Sequence, residues 1–332
     1  MNLNKDERTE HHIYFSNAIQ MADIPPSSVH LIVTSPPYWS LKRYGKNKQI
    51  GFNQAYEAYL EDLRAVIAEM ARLIQKWRFI CINVGTAVSD RGMKSIPADI
   101  IRIAEKYDFL FRKEIIWKKP KGVQGLWQRG TTQFLKKTPF PTFLNLNILH
   151  ETILIFQQCP GLVAPSAQEW REHLEGKGVL TSNNKLTEEF IKKWAWSVWE
   201  LDVSKTKGHP APFPVELPQN LIRLYSYPGE IVLDPFLGSG TTSQAAILEG
   251  RNSIGYEKNM GYRKLIGQVL RITKNPLEQY LSPKAAAERP EDSGEAEVYE
   301  SGIRPRAGDA RALIYFHRSG KERIHQWSRD DL

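Results

Sequence analysis

Cysteine is almost missing from this chain: 332 residues contain only Cys81 and Cys159. Two thiols are too few for a disulfide framework or a cysteine-based zinc site, and they fit a reducing, cytoplasmic setting. No apolar run reaches about 18 residues, so no transmembrane helix is predicted and no membrane partner is expected. The opening "MNLNKDERTEHH" is charged with no apolar stretch behind it, so a secretory leader is not expected either. The eight histidines show no metal-ligand spacing: His11 and His12 read as part of an N-terminal arm. No metal is predicted.

What is present suits a globular enzyme. Hydrophobic residues make up 41% and aromatics 11% of the chain, enough for a sizeable core. The net charge of +8 permits an anionic partner such as nucleic acid without requiring one. From Pro283 onward there are 9 Lys/Arg against 10 Asp/Glu, and 36 against 27 before it, so the positive excess belongs to residues 1–282.

Strand-like and helix-like stretches alternate. "LIV" (31–33) reads as a buried strand and "QAYEAYLEDLRAVIAEMARLIQKW" (54–77) as an amphipathic helix. "RFICINVG", "RKEIIWKK", "HETILIFQQ", "EIVLDP" and "NSIGYE" are further strand candidates. "IPADIIRIAEKYDF", "LPQNLIRLYS" and "GTTSQAAILEG" are helix candidates. This order predicts an α/β fold, a mainly parallel sheet with helices on both faces. Between 159 and 207 the pattern dissolves into a small insertion. Residues 282–332 open on a Pro-, Gly- and Glu-rich stretch and read as a flexible charged tail. The expected division is therefore 1–158, 159–207, 208–281 and 282–332.

Two short stretches carry chemistry. In "LIVTSPPYWS" (31–40) the prolines cannot donate to a sheet ladder, so the strand stops there and hangs Tyr38 and Trp39 on a stiff loop. In "VLDPFLGSGTT" (232–242) Gly238 and Gly240 permit a tight turn with close backbone approach to a ligand, and Thr241 or Thr242 can cap the helix. This geometry suits a nucleotide-like cofactor at a strand end. A Walker loop needs Lys before the Ser/Thr, where Gly240 stands, and the dinucleotide fingerprint fails because Ser243 replaces its third glycine. Glu257, about twenty residues on at the next strand end, is placed to accept hydrogen bonds from ribose hydroxyls.

With "TSPPY" early and "DPFLGSGTT" late, the chain resembles the S-adenosyl-L-methionine-dependent amino methyltransferases of DNA, in their β group. The likeness runs over roughly residues 13–270 and includes "IPADI", "EIIWKKP", "HETILIF", "VWEL", "GHPAPFPVELPQNLI" and "GRNSIGYE" in the family's order. It implies a seven-stranded-type methyltransferase sheet with circularly permuted motifs. Residues 1–158 would be the catalytic half, 159–207 a target-recognition insertion and 208–281 the cofactor-binding half.

The resemblance also assigns roles. Asp234, Pro235, Phe236, Gly238, Ser239, Gly240 and Thr241, with Thr34, would surround the cofactor, and Glu257 would hold its ribose. Pro212 and Phe213 would close over the methionine end. Near the adenine the family usually has Asp where this chain has Asn17, whose amide oxygen can still accept a hydrogen bond. Ser35, Pro36, Pro37 and Tyr38 would be catalytic. A base amino group is a poor nucleophile, and acceptors aimed at its hydrogens stabilise the charge that develops on it. Tyr38 would stack on a base rotated out of the duplex. Ring-carbon methylation would need a Pro-Cys nucleophile, which this chain lacks.

"WKKPKGVQGLWQRGTTQFLKKTPFPTF" (117–143) places Lys118, Lys119, Lys121, Arg129, Lys136 and Lys137 among aromatics, a pattern suited to phosphates and flipped bases. The partners expected are double-stranded DNA and a cognate restriction endonuclease. Ser35 favours cytosine N4 as the target, because Asp or Asn there usually goes with adenine in the resembling family. Adenine N6 methylation and an inactive DNA-binding module remain the alternatives, with RNA a weaker one.

Overall fold

The computed structural model describes residues 8–39, 49–89, 92–120, 148–176, 185–204, 213–272, 296–306 and 311–318. Among them the strands are β1 (Arg8–Phe15), β2 (Val29–Thr34), β3 (Ile74–Val84), β4 (Ala87–Ser89), β5 (Gly92–Lys94), β6 (Phe109–Lys118), β7 (His150–Gln158), β8 (Val198–Glu200), β9 (Ile231–Asp234), β10 (Asn252–Tyr256), β11 (Glu297–Glu300) and β12 (Arg311–Arg318). The helices are α1 (Tyr56–Leu73), α2 (Ile96–Ala104), α3 (Ala167–Gly176), α4 (Glu188–Trp194), α5 (Glu216–Tyr225), α6 (Thr241–Leu248) and α7 (Arg263–Val269).

Ten strands form one sheet in the order β11-β12-β1-β10-β9-β2-β3-β7-β6-β8; β4 and β5 make a separate hairpin. From β12 to β3 every neighbouring pair is parallel, whereas β7 runs against both β3 and β6. The carboxyl ends of β1, β2, β9 and β10 therefore share one edge with the amino end of β7. That edge carries the site.

Side chains alternate across this sheet. Ile32, Ile80, Leu154 and Leu233 join α1 and α2 on one face, while Leu31, Val33, Cys81, Ile153 and Val232 join α4, α5 and α6 on the other. In α1 the buried residues Tyr56, Tyr59, Leu63, Val66, Ile67, Met70 and Leu73 recur every three or four positions, the mark of a one-sided helix. The sequence pattern runs this helix on to Trp77. The chain instead turns extended at Ile74, which pairs with Val29, because buried Ile74 and Gln75 satisfy a strand as well as a helix.

Two expectations fall here. His11 is not part of a loose arm: β1 lies between β10 and β12, and the fully buried His11 ring bonds Ser253 Oγ at 2.8 Å and Thr9 Oγ1 at 3.0 Å. Nor is 282–332 a flexible tail throughout. β12 pairs along the whole of β1 and β11 pairs with β12, so the sheet exceeds seven strands. The alternating "RALIYFHR" sends Ala312, Ile314 and Phe316 into a core with Ile13, Phe15 and Ile266. The charged, proline-rich run before it had masked that strand.

The 159–207 stretch is split. Its first part leaves the carboxyl end of β7, so it starts at the edge opposite the site. There His173 of α3 packs edge-on against Trp77 at 5.2 Å and stacks on Trp170 at 5.6 Å. In its second part β8 pairs with β6, and Phe190 and Trp194 of α4 share a core with Ile115 and Trp117 of β6.

Candidate active site

The glycine turn follows β9 directly. Asp234 ends that strand fully buried, and its carboxylate takes three donors: the hydroxyls of Thr34 and Thr242, each at 2.6 Å, and the Phe236 N–H at 3.0 Å. Burial pushes its pKa up to about 6 against those donors. Asp234 thus organises the turn from within. Gly238 and Gly240 adopt φ of 57° and 89°, the left-handed region where side chains are strained. Pro235, Ser239 and Thr241 are buried, with Ser239 Oγ 3.0 Å from Thr241 Oγ1.

Beside the turn, Glu257 leaves the end of β10. One carboxylate oxygen accepts the Gly238 N–H at 2.9 Å and the other the Asn259 N–H at 2.7 Å. Burial dominates and raises its pKa to about 7. Gly255, on the same strand, is a residue that the sequence pattern did not single out. A Cβ there would stand 2.6 Å from Leu237 Cδ2, so glycine is what lets the turn close onto β10.

The other motif continues from β2. Ser35 and Pro37 are half-buried, Pro36 and Tyr38 buried. Tyr59 of α1 donates its hydroxyl to the Pro37 carbonyl at 3.0 Å, and Trp39 Nε1 donates to the Gln54 carbonyl at 2.8 Å. The Tyr38 hydroxyl donates to Glu151 Oε2 at 2.7 Å, and Asn83 Nδ2 donates to the same oxygen at 2.7 Å. Lys119 is ion-paired with Glu151 Oε1. Sequence reasoning passed over Glu151, Asn83 and Tyr59. The "HE" of "HETILIF" was the available signal for the first.

Asn17 lies just past β1, with its amide oxygen accepting from Ile19 N–H at 3.3 Å. Phe236 and Phe213 are partly buried against opposite faces of the core. Lys118 is exposed and pairs with Glu200 at 2.6 Å. Lys119, expected on DNA phosphates, is instead a largely buried partner of Glu151, because β6 ends beside the start of β7. Pro212, Lys121, Arg129, Lys136 and Lys137 lie outside the described residues. No cluster of His, Cys, Asp or Glu among the described residues could hold a metal ion.

A family model for DNA methylases matches residues 29–268. The chain belongs to the DNA methylase family. It is 31% identical over 306 residues to the type II methyltransferase M.MjaI of Methanocaldococcus jannaschii, covering 82% of this chain and 95% of that one. To M.MthZI of Methanothermobacter thermautotrophicus it is 30% identical, covering 78% and 76%. Among solved structures it matches a Thermus thermophilus protein named for DNA modification methylase activity and crystallised with S-adenosyl-L-methionine: 28% identity, TM-score 0.57, and 78% and 92% coverage. It also shares the fold of the cytosine-N4-specific PvuII methyltransferase at 18% identity and TM-score 0.58, over 84% and 93%.

The methylase's cofactor is S-adenosyl-L-methionine, and the turn fits it. Glycines with positive φ let the backbone approach a ligand closely. Each Glu257 oxygen carries one backbone hydrogen bond, which leaves acceptor capacity for a ribose diol.

Proposed function

We propose that this methylase transfers a methyl group from S-adenosyl-L-methionine to the exocyclic N4 of a cytosine rotated out of duplex DNA. The observation that carries the choice of base is Ser35, a short hydroxyl at the head of the Pro-Pro-Tyr loop on the β2 end. That loop stands next to the glycine turn because β2 and β9 are neighbours in the sheet. A serine is shorter than the Asp or Asn common at this place, so the smaller pyrimidine ring has to sit deeper to reach it. The hydroxyl can accept from the amino group or donate to a ring nitrogen.

The bound cofactor supplies an electrophilic methyl group. Everything else falls to the chain. Gly238 and Gly240 admit the cofactor, Glu257 accepts from its ribose hydroxyls, and Thr34, Asp234, Ser239 and Thr241 hold the turn in shape. Asn17, Phe236, Phe213 and Pro212 flank the cofactor. Ser35 Oγ and the Pro36 carbonyl accept the amino hydrogens of the target and stabilise positive charge as nitrogen gains its methyl group. Tyr38 packs under the rotated base. Lys118, Lys121, Arg129, Lys136 and Lys137 supply phosphate contacts.

Relatives at 30% identity and above are named type II methyltransferases, which supports a role in restriction-modification, with a cognate endonuclease reading the same site. The test is to express the protein in cells lacking DNA methylation, digest their DNA and identify the modified nucleoside by mass. N4-methylcytosine is expected; N6-methyladenine alone, or no modified base, would contradict the proposal.

A further inference from the structure

Glu151 belongs to neither sequence motif, yet three donors from three separate elements converge on its carboxylate. The Tyr38 hydroxyl comes from the loop after β2, the Asn83 amide from the end of β3, and the Lys119 ammonium from the end of β6. The side chains of Lys119 and Glu151 are only 10% and 12% exposed. A largely buried ion pair with its lone pairs taken up by further donors is rigid, because breaking any one contact leaves a desolvated polar group.

The consequence reaches the Pro-Pro-Tyr loop. Prolines fix the loop's φ angles but not its swing about the strand end. Two hydroxyl contacts stop that swing: Tyr59 holds the Pro37 carbonyl, and Glu151 holds the Tyr38 phenol. The Pro36 carbonyl immediately precedes these two held residues. Asn83 shows the same steering, because its NH₂ must face the carboxylate and its buried Oδ1 finds no hydrogen-bond partner among the described residues.

We propose that Glu151 is a positioning residue for methyl transfer: by anchoring the Tyr38 hydroxyl it sets the direction of the Pro36 carbonyl toward the target amino group. This rests on the DNA-methylating reading above. Loose positioning of an acceptor by a fraction of an ångström costs rate far more than ground-state binding. Glu151 never touches the base; it acts through Tyr38.

The experiment is a double-mutant cycle in single-turnover methyl transfer, with enzyme in excess over unmethylated plasmid DNA and tritiated S-adenosyl-L-methionine. The variants are Tyr38→Phe, which removes only the hydroxyl, Glu151→Gln, and both together. Each single variant is expected to lose roughly tenfold or more in rate, with cofactor affinity by calorimetry changed less than about twofold. The double variant should be no slower than the slower single one, since both remove the same link. Tyr38→Phe at the wild-type rate overturns the proposal, and so do losses that multiply. Glu151→Gln can fail to fold, and the Tyr38→Phe rate then decides alone. A wild-type protein that transfers no label overturns the methylating reading itself, and this proposal with it.

Discussion

The Thr34 hydroxyl donates to Asp234 Oδ1 at 2.6 Å, joining residues 200 positions apart. Thr34 ends β2 just before the Ser-Pro-Pro-Tyr loop, and Asp234 ends β9 just before the glycine turn. One hydrogen bond between adjacent strands thus fixes the Ser-Pro-Pro-Tyr loop relative to the glycine turn. Thr34, Thr242 and Phe236 all donate to the Asp234 carboxylate, so this group ties the turn together from within.

Thr34→Val keeps the side-chain shape and removes that donor. Leaving a buried carboxylate one partner short typically costs about 1–3 kcal/mol. Denaturant unfolding should show a loss of that order, and calorimetry should show weaker S-adenosyl-L-methionine binding. Unchanged stability together with unchanged affinity would contradict a structural role for this hydrogen bond.

Cofactor affinity should depend on pH through Glu257, whose pKa burial raises to about 7. In the proposed ribose role the ionised carboxylate accepts from both hydroxyls, so affinity should fall as pH drops below about 7, approaching tenfold per pH unit. Stability runs the other way. The folded protein holds this proton more tightly than the unfolded chain, so the contribution of Glu257 is full below the ordinary glutamate range and is lost as pH rises through about 7. Glu257→Gln should bind more weakly than the wild type at pH 8 and lose the pH dependence. A wild-type affinity that is flat from pH 6 to 8 would argue against the ribose role.

Removing residues 296–332 should cost the fold, contrary to what the composition of that stretch suggests. Leu313, Ile314 and Phe316 are at most 1% exposed, and each buried side chain of this size contributes roughly 1.5–3 kcal/mol. The truncation also bares the β1 edge as an unpaired strand. A truncated protein with the full-length thermal midpoint would contradict the pairing of β12 with β1.

Lys119→Met should leave the salt dependence of DNA binding unchanged, because the ammonium is committed to Glu151. A phosphate-contacting lysine would instead lower the slope of log K against log salt by about 0.9. Binding of plasmid DNA measured across a salt series distinguishes the two.

How much of this was legible in the sequence follows from what each signal encodes. The loop and the glycine turn were readable because proline and glycine impose backbone behaviour whatever surrounds them. The strands next to them were readable as short β-branched runs between turn residues. Glu151, Asn83 and Tyr59 were not, since their roles arise only when β3, β6, β7 and α1 meet in space. For the same reason Lys119 looked like any other member of a basic run. The last strands were missed because β12 is recognised by the neighbour it pairs with, and that neighbour, β1, begins with charged residues and two histidines. His11 is held neutral in that strand, its pKa lowered to about 3 by burial.

In the proposed reaction Ser35 and the Pro36 carbonyl direct methyl transfer to cytosine N4. The most direct measurement incubates the purified protein and its Ser35→Ala variant with tritiated S-adenosyl-L-methionine and unmethylated plasmid DNA, then separates the nucleosides. Label is expected in N4-methylcytosine for the wild type, and for Ser35→Ala a transfer rate lower by at least roughly tenfold at nearly unchanged cofactor affinity. Label confined to N6-methyladenine, or a Ser35→Ala variant as fast as the wild type, would contradict it.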